Sequence, residues 1–231
     1  MLVALTFDVE DPDQRDHAGP GDVAPILDAL GAAGIRATFF LQGRWLSANP
    51  DAAAAVAGAG HLVGNHSYFH TETQLLTARG LREDVTRAHG AILEHTGVDA
   101  RPWYRLPYGA GAESPVIQSR LRSLGYQHVG WDVDVNDYAL DDGTALVSAV
   151  ADALAGRRRA GATHAIVLLH SWPLPTVGGL PELCDVLRRQ GEDLVTVDQV
   201  PGRGAVAPRS RLSHRARWMA GRAKAAVRRS A

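Results

Sequence analysis

Histidines 66 and 70 stand four residues apart in the segment GNHSYFH, and three carboxylates, Asp8, Glu10 and Asp11, crowd into TFDVED at residues 6–11. Two imidazoles at this spacing can meet one tetrahedral cation, and a nearby carboxylate completes a three-ligand set that leaves a coordination position open for chemistry. Further segments carry side chains suited to moving protons or holding charge: RLPYG with Arg105 and Tyr108, WDVDVNDY with Asp132, Asp134 and Asp137, and LLHSW with His170. Taken singly, an aspartate after a strand can be a turn or helix cap, and a lone histidine a structural residue. Five such clusters, each at the end of an apolar run, point to one shared site.

The elements that must position these residues can be read from periodicity. Seven candidate strands lie at 2–8, 35–41, 61–64, 103–106, 127–133, 165–169 and 194–197. Between them apolar residues recur at helical spacing, as in Ile26, Leu27 and Leu30, in Leu81, Val85, Ala88 and Ile92, and in Val147, Val150 and Leu154. Ser114-Pro115 supplies a cap and a first-turn proline for a helix over 116–124, and Gly34, Gly97, Gly125 and Gly191 follow helical runs. This alternation predicts an α/β fold with a parallel sheet, open or closed into a barrel. Such folds collect their catalytic residues at the carboxyl ends of the strands.

Composition bounds the function classes. A chain of 231 residues, 45% apolar and 21% charged, can bury the core of one large domain, and its net charge of −1 argues against a general nucleic-acid binder. A single cysteine, Cys184, excludes an internal disulfide and a cysteine-rich zinc cluster. Charge is unevenly spread: residues 201–231 hold nine Lys or Arg and no acid, leaving −10 for residues 1–200. Leu212, Ala216, Met219, Ala223 and Val227 fall near one helical face, so this basic tail reads either as an amphipathic surface helix or as a disordered, solvated segment.

The five clusters, in order TFDVED, HSYFH, RLPYG, DVDVNDY and LLH, resemble the motifs of the NodB-type polysaccharide deacetylases, carbohydrate esterase family 4. The likeness runs from about Leu2 to Val200 and includes the connecting text ATFFLQGRWLSANP and GHLVGNHSYFH. It implies a deformed (β/α)7 TIM-like barrel over residues 1–200, the NodB homology domain. It also implies metal-dependent hydrolysis of an N-acetyl group from an acetamido sugar or a GlcNAc-containing glycan. The divalent metal is expected to be zinc, with cobalt or nickel as alternatives.

One position departs from the family pattern. The family usually reads Thr-Phe-Asp-Asp-Gly, with the first aspartate as base and the second as metal ligand, whereas Val9 occupies the second position here. Strand side chains alternate between faces, so Asp8 and Glu10 are expected to share a face with Val9 turned away. Glu10 is therefore the candidate third ligand beside His66 and His70, with Asp11 in reserve if the strand ends early. The resemblance then implies Asp8 as general base, Arg105 as its ionic partner, the Tyr108 backbone N–H facing the developing oxyanion, and His170 as general acid held by Asp137. It further implies that Ser67 braces the histidine loop and that Trp131 and Leu168 line the acetyl pocket. Tyr138, in place of the family's tryptophan, is expected to alter the groove rim. Asp132 and Asp134 are left outside the catalytic set, and of the remaining histidines only His17, in the charged loop from Asp11 to Gly21, is expected to approach the site.

Other classes stay in view: an inactive glycan-binding barrel, which would account for Val9, a hydrolase of cyclic amides or O-acetyl esters on the same barrel, and an adaptor acting through its tail. No signal-like segment or spanning apolar run stands out, so a cytoplasmic location is expected. An intracellular acetamido sugar or a nucleotide- or lipid-linked glycan precursor would suit that location, and the basic tail would suit peripheral contact with anionic membrane.

Overall fold

A computed structural model describes residues 1–11 and 23–202 of the chain. Residues 203–231 of the basic tail, His17 and most of the loop after Asp11 lie outside the described residues. Among the described residues, eight strands and seven α-helices follow one another along the chain. The strands are β1 (Leu2–Val9), β2 (Thr38–Leu41), β3 (Leu62–Asn65), β4 (Trp103–Tyr104), β5 (Gln127–His128), β6 (Val133–Asp134), β7 (His164–His170) and β8 (Asp193–Val195). The helices are α1 (Ala24–Ala32), α2 (Gly43–Ala48), α3 (Pro50–Gly58), α4 (Ala78–Thr96), α5 (Pro115–Ser123), α6 (Gly143–Arg159) and α7 (Leu174–Arg189).

All pairings are parallel, in the order β5-β4-β3-β2-β1-β7-β6, and β8 joins the lower half of β1. The outermost strands of this order, β5 and β6, are separated in the chain only by residues 129–132. Five Cα steps reach at most about 18 Å. Six strand spacings in a flat sheet would need roughly 29 Å. The sheet therefore has to curl until its edges nearly meet, which makes it a deformed, incompletely closed barrel. The run 127–133, expected as one strand, is in fact two short strands on opposite lips of this seam, because the chain crosses it at Val129–Asp132.

Alternation along β1 sorts its side chains between two cores. Val3, Leu5, Phe7 and Val9 face outward into the layer shared with Ile26 and Leu30 of α1 and Leu180, Leu183 and Leu187 of α7. Ala4 faces inward with Phe40, Trp103, Val129, Ile166, Val197 and Val200, which fill the base of the barrel. Helix ends follow their capping chemistry. Thr77 Oγ1 accepts from Gly80 N at 3.0 Å, Ser114 Oγ accepts from Ile117 N ahead of Pro115, and α4 stops at Gly97, whose φ of 70° no β-carbon opposes. Among the described residues, no helix is long and apolar enough to cross a membrane.

Because every strand runs the same way, their carboxyl ends share one rim. The register places Asp8 beside both His170 and Phe40, and Leu41 beside Asn65, which in turn lies beside Tyr104. The residues that follow those strands, Glu10, His66 and Arg105, are thereby delivered to the same end of the barrel.

Candidate active site

Glu10, His66 and His70 are all buried and bring one ligand atom each to within 4.8 Å of the others. Glu10 Oε2 lies 3.2 Å from His66 Nε2 and 2.6 Å from His70 Nε2, and the two Nε2 atoms are 3.1 Å apart. His66 Nδ1 is 3.0 Å from the Arg105 carbonyl oxygen, so that nitrogen carries its proton and Nε2 is left as the ligand atom. Burial alone would raise the pKa of Glu10, but its hydrogen bonds and charge interactions with His66 and His70 hold it below the usual carboxylate range. Burial likewise opposes charge on His66, and Asp8 and Glu10 outweigh it to raise that pKa. Two imidazoles and a carboxylate gathered in one buried cluster fit a divalent cation such as zinc. Val9 is fully buried on the outer face of β1, and Asp11 turns toward exposed Arg44, its Oδ2 at 3.4 Å. Glu10, and not Asp11, is the carboxylate brought to the histidines.

Asp8, 4% exposed, sits between this cluster and Arg105: Oδ2 is 3.4 Å from His66 Nε2, and Oδ1 accepts from Arg105 Nη1 at 2.8 Å. Arg105, just after β4, is fully buried inside the barrel. Nε donates to Val129 O at 3.1 Å, Nη2 to Gly130 O at 3.3 Å and Nη1 to Thr6 Oγ1 at 2.8 Å, while its guanidinium carbon lies 4.2 Å from the Phe40 ring centre. One side chain thus ties the chain that leaves β5, at Val129 and Gly130, to the strand that carries Asp8.

His170 ends β7, with Nδ1 at 2.7 Å from Asp137 Oδ1, and its own N–H donates to Asp137 Oδ2 at 2.8 Å. Thr176 Oγ1 donates to the same Oδ2 at 2.5 Å. Burial would depress the His170 pKa, but the Asp137 hydrogen bond and the charges of Asp137, Glu10 and Asp8 prevail and raise it to about 9. Tyr138, 40% exposed, stacks on buried Trp172 with ring centres 6.0 Å apart and stands edge-on to His170 at 5.6 Å. Across the site the exposed Tyr108 ring lies 4.5 Å from that of His70.

The loops that carry these groups are strained. Among the described residues, four non-glycine residues have φ in the left-handed region: Ser67 (65°), His70 (58°), Tyr108 (55°) and Asn136 (49°), and all belong to the motif loops around the site. Ser67 Oγ accepts from His70 N at 2.8 Å, the bracing expected of it. Trp131 packs against the Tyr108-Gly109 turn, where a β-carbon on Gly109 would meet its ring at 3.0 Å, and buried Leu168 lies opposite Thr6. Asp132 joins β7 through Ile166 N and pairs with Arg157, and Asp134 closes a turn on Asn136 N, so both serve the backbone.

Several supporting side chains went unread in the sequence. Asn65 Oδ1 accepts from Ser67 N at 2.9 Å, Gln42 Oε1 accepts from Asp11 N at 3.1 Å, and Thr176 completes the Asp137 site. Asn65 and Gln42 each follow an apolar strand run and carried a readable signal, whereas Thr176 lies in a helix with nothing to set it apart.

Residues 1–129 match the family model described as polysaccharide deacetylase. The peptidoglycan-N-acetylglucosamine deacetylase PgdA of Listeria monocytogenes is 29% identical over 87% of this chain, and the chain spans only 39% of that relative's length. The solved structure of T48 deacetylase with substrate is similar at a TM-score of 0.70 and 32% identity, covering 86% of this chain and 89% of that one. A carbohydrate esterase family 4 pseudoenzyme from Bacillus anthracis, BA3943, is similar at a TM-score of 0.74 and 25% identity, covering 85% of this chain and 64% of that one.

Proposed function

Since the chain belongs to the polysaccharide deacetylase family, we propose that it hydrolyses the N-acetyl group of an acetamido sugar in a GlcNAc-containing glycan, using a divalent cation held by Glu10, His66 and His70. The observation that carries this is the convergence of those three buried ligand atoms beside the Asp8–Arg105 pair. A cation bound there would polarise the amide carbonyl and acidify water. Asp8 takes the proton of the attacking water, with Arg105 holding one carboxylate oxygen and leaving the other on the side of the histidines. The backbone N–H of Tyr108 donates to the oxygen that gains negative charge. His170, kept protonated by Asp137, gives its proton to the departing amine, which leaves acetate and a free amino sugar. The exposed ring of Tyr138, which stacks over buried Trp172, offers a flat apolar face against which a sugar ring can lie.

The test is acetate release from N-acetylated glucosamine oligosaccharides by the purified protein, with and without chelator, beside bound-metal stoichiometry for the parent and for Glu10→Ala. About one metal per chain together with chelator-sensitive acetate release is the expected result. A metal-loaded protein that releases no acetate from any GlcNAc-containing glycan would refute the substrate class. A second reading is favoured by Val9 and by the likeness to a pseudoenzyme: a barrel that binds glycan without turnover. It predicts glycan binding with no metal uptake, which the same stoichiometry measures.

A further inference from the structure

The loop from His66 to His70 has to hold two imidazoles a few ångströms apart while passing through left-handed φ at Ser67 and His70. Such residues resist this conformation, and it persists only where surrounding contacts over-determine it. Four consecutive backbone N–H groups show what does so. Ser67 N donates to Asn65 Oδ1 at 2.9 Å, Tyr68 N to Asp84 Oδ2 at 3.1 Å, Phe69 N to Asp84 Oδ1 at 3.0 Å, and His70 N to Ser67 Oγ at 2.8 Å. Two of the four acceptors belong to one carboxylate from a different element, helix α4.

Asp84 is 5% exposed and sits within the apolar stripe of α4, among Leu81, Val85 and Ala88. A carboxylate in that place is costly to desolvate unless it is well bound, and helix packing gives no reason for it. Its two oxygens match the spacing of two successive amide N–H groups, as a carboxylate accepting charge-assisted bonds does. We infer that Asp84 is a positioning residue for the metal: by clamping the loop at Tyr68 and Phe69 it sets where His70 stands relative to His66 and Glu10. This rests on the metal reading above and extends it to a residue far from the strand-end motifs.

Asp84→Asn tests the inference, because the amide keeps the size but turns one acceptor into a donor facing an N–H. Asp84→Ser removes both acceptors without adding bulk. Zinc dissociation constants by chelator competition, and the d–d absorption spectrum of the cobalt form, are measured for full-length parent and variants well below their unfolding temperatures. The expected result is a 10- to 100-fold weaker zinc affinity, the usual range for groups that orient metal ligands, and an altered cobalt spectrum. Asp84→Glu, which keeps charge and both acceptors, should recover part of the affinity. A folded Asp84→Asn or Asp84→Ser with zinc affinity within about twofold of the parent and an unchanged cobalt spectrum overturns the inference, as does failure of both variants to fold with or without metal, which would make Asp84 a requirement of the fold itself. A parent that takes up no zinc refutes the metal reading instead.

Discussion

Replacing Arg105 by methionine removes a side chain that ties the chain entering the barrel seam, at Val129 and Gly130, to the strand bearing Asp8. Methionine keeps the apolar stem against Phe40 and deletes the charge. Asp8 loses its cation while remaining 4% exposed, and the carbonyls of Val129 and Gly130 lose their donor. Breaking a buried ion pair from one side costs about 3–5 kcal/mol, because the partner charge is stranded away from water. For a domain of this size that corresponds to a fall in Tm of roughly 6–20 °C, out of a total stability of about 5–15 kcal/mol. Urea or thermal unfolding of the metal-stripped protein reads the effect without interference from bound metal. The double variant with Asp8→Asn closes the cycle: removing the stranded charge should return part of the loss, as a coupling of about 1–3 kcal/mol. A single-variant cost below about 1 kcal/mol with no coupling to Asp8 would refute the account of Arg105 as both closure and counter-charge.

The ligand assignment predicts that Glu10→Ala abolishes stoichiometric metal binding while Asp11→Ala, whose carboxylate faces exposed Arg44, leaves it near one per chain; elemental analysis after dialysis decides between them. The His170–Asp137 pair predicts a pH signature of definite sign. The pKa of His170 is raised in the folded state from 6.5 to about 9, so the pair stabilises fully below about pH 6.5 and loses that contribution as pH rises through about 9. The stability advantage of the metal-free parent over Asp137→Asn should therefore be larger at pH 6 than at pH 9.5 in urea titrations, and an advantage that grows with pH would contradict the pairing. Gly43→Ala places a methyl group against the Tyr68 ring and 3.1 Å from its Cα, within the loop between the two histidines. Overpacking of this kind costs about 1–3 kcal/mol, and here it should weaken zinc binding along with Tm, whereas Gly31→Ala, whose methyl meets nothing within 4 Å, should leave zinc binding unchanged.

Much of this site was legible because a strand fixes facing by parity. Once TFDVED is set on a strand, Asp8 and Glu10 must share the inner face and Val9 the outer, and the structure puts them there. His66, Arg105 and His170 were readable for a related reason: each directly follows or ends an apolar run, where a parallel sheet collects its polar residues, and His70 was readable by its spacing from His66. Periodicity failed at Gln127–Val133, since a continuous run cannot reveal that its two halves pair with different neighbours. It failed again at Asp84, because one polar residue inside an otherwise regular apolar stripe does not announce the loop it binds.

Local chemistry, fixed by chain order and residue type, thus determined most of the strands, the capped helices, the rim on which the polar residues gather and the choice of Glu10 by parity. Only the tertiary structure decided which pairs meet across long sequence separation. Arg105 reaches Asp8 and the seam carbonyls because the sheet curls, and Asp84 reaches the histidine loop because α4 packs beside it. Asp11 is left outside because its side chain turns to Arg44. The reason is physical: parity and spacing specify directions along one element, whereas curvature and packing set distances between elements, and a metal site depends on distances.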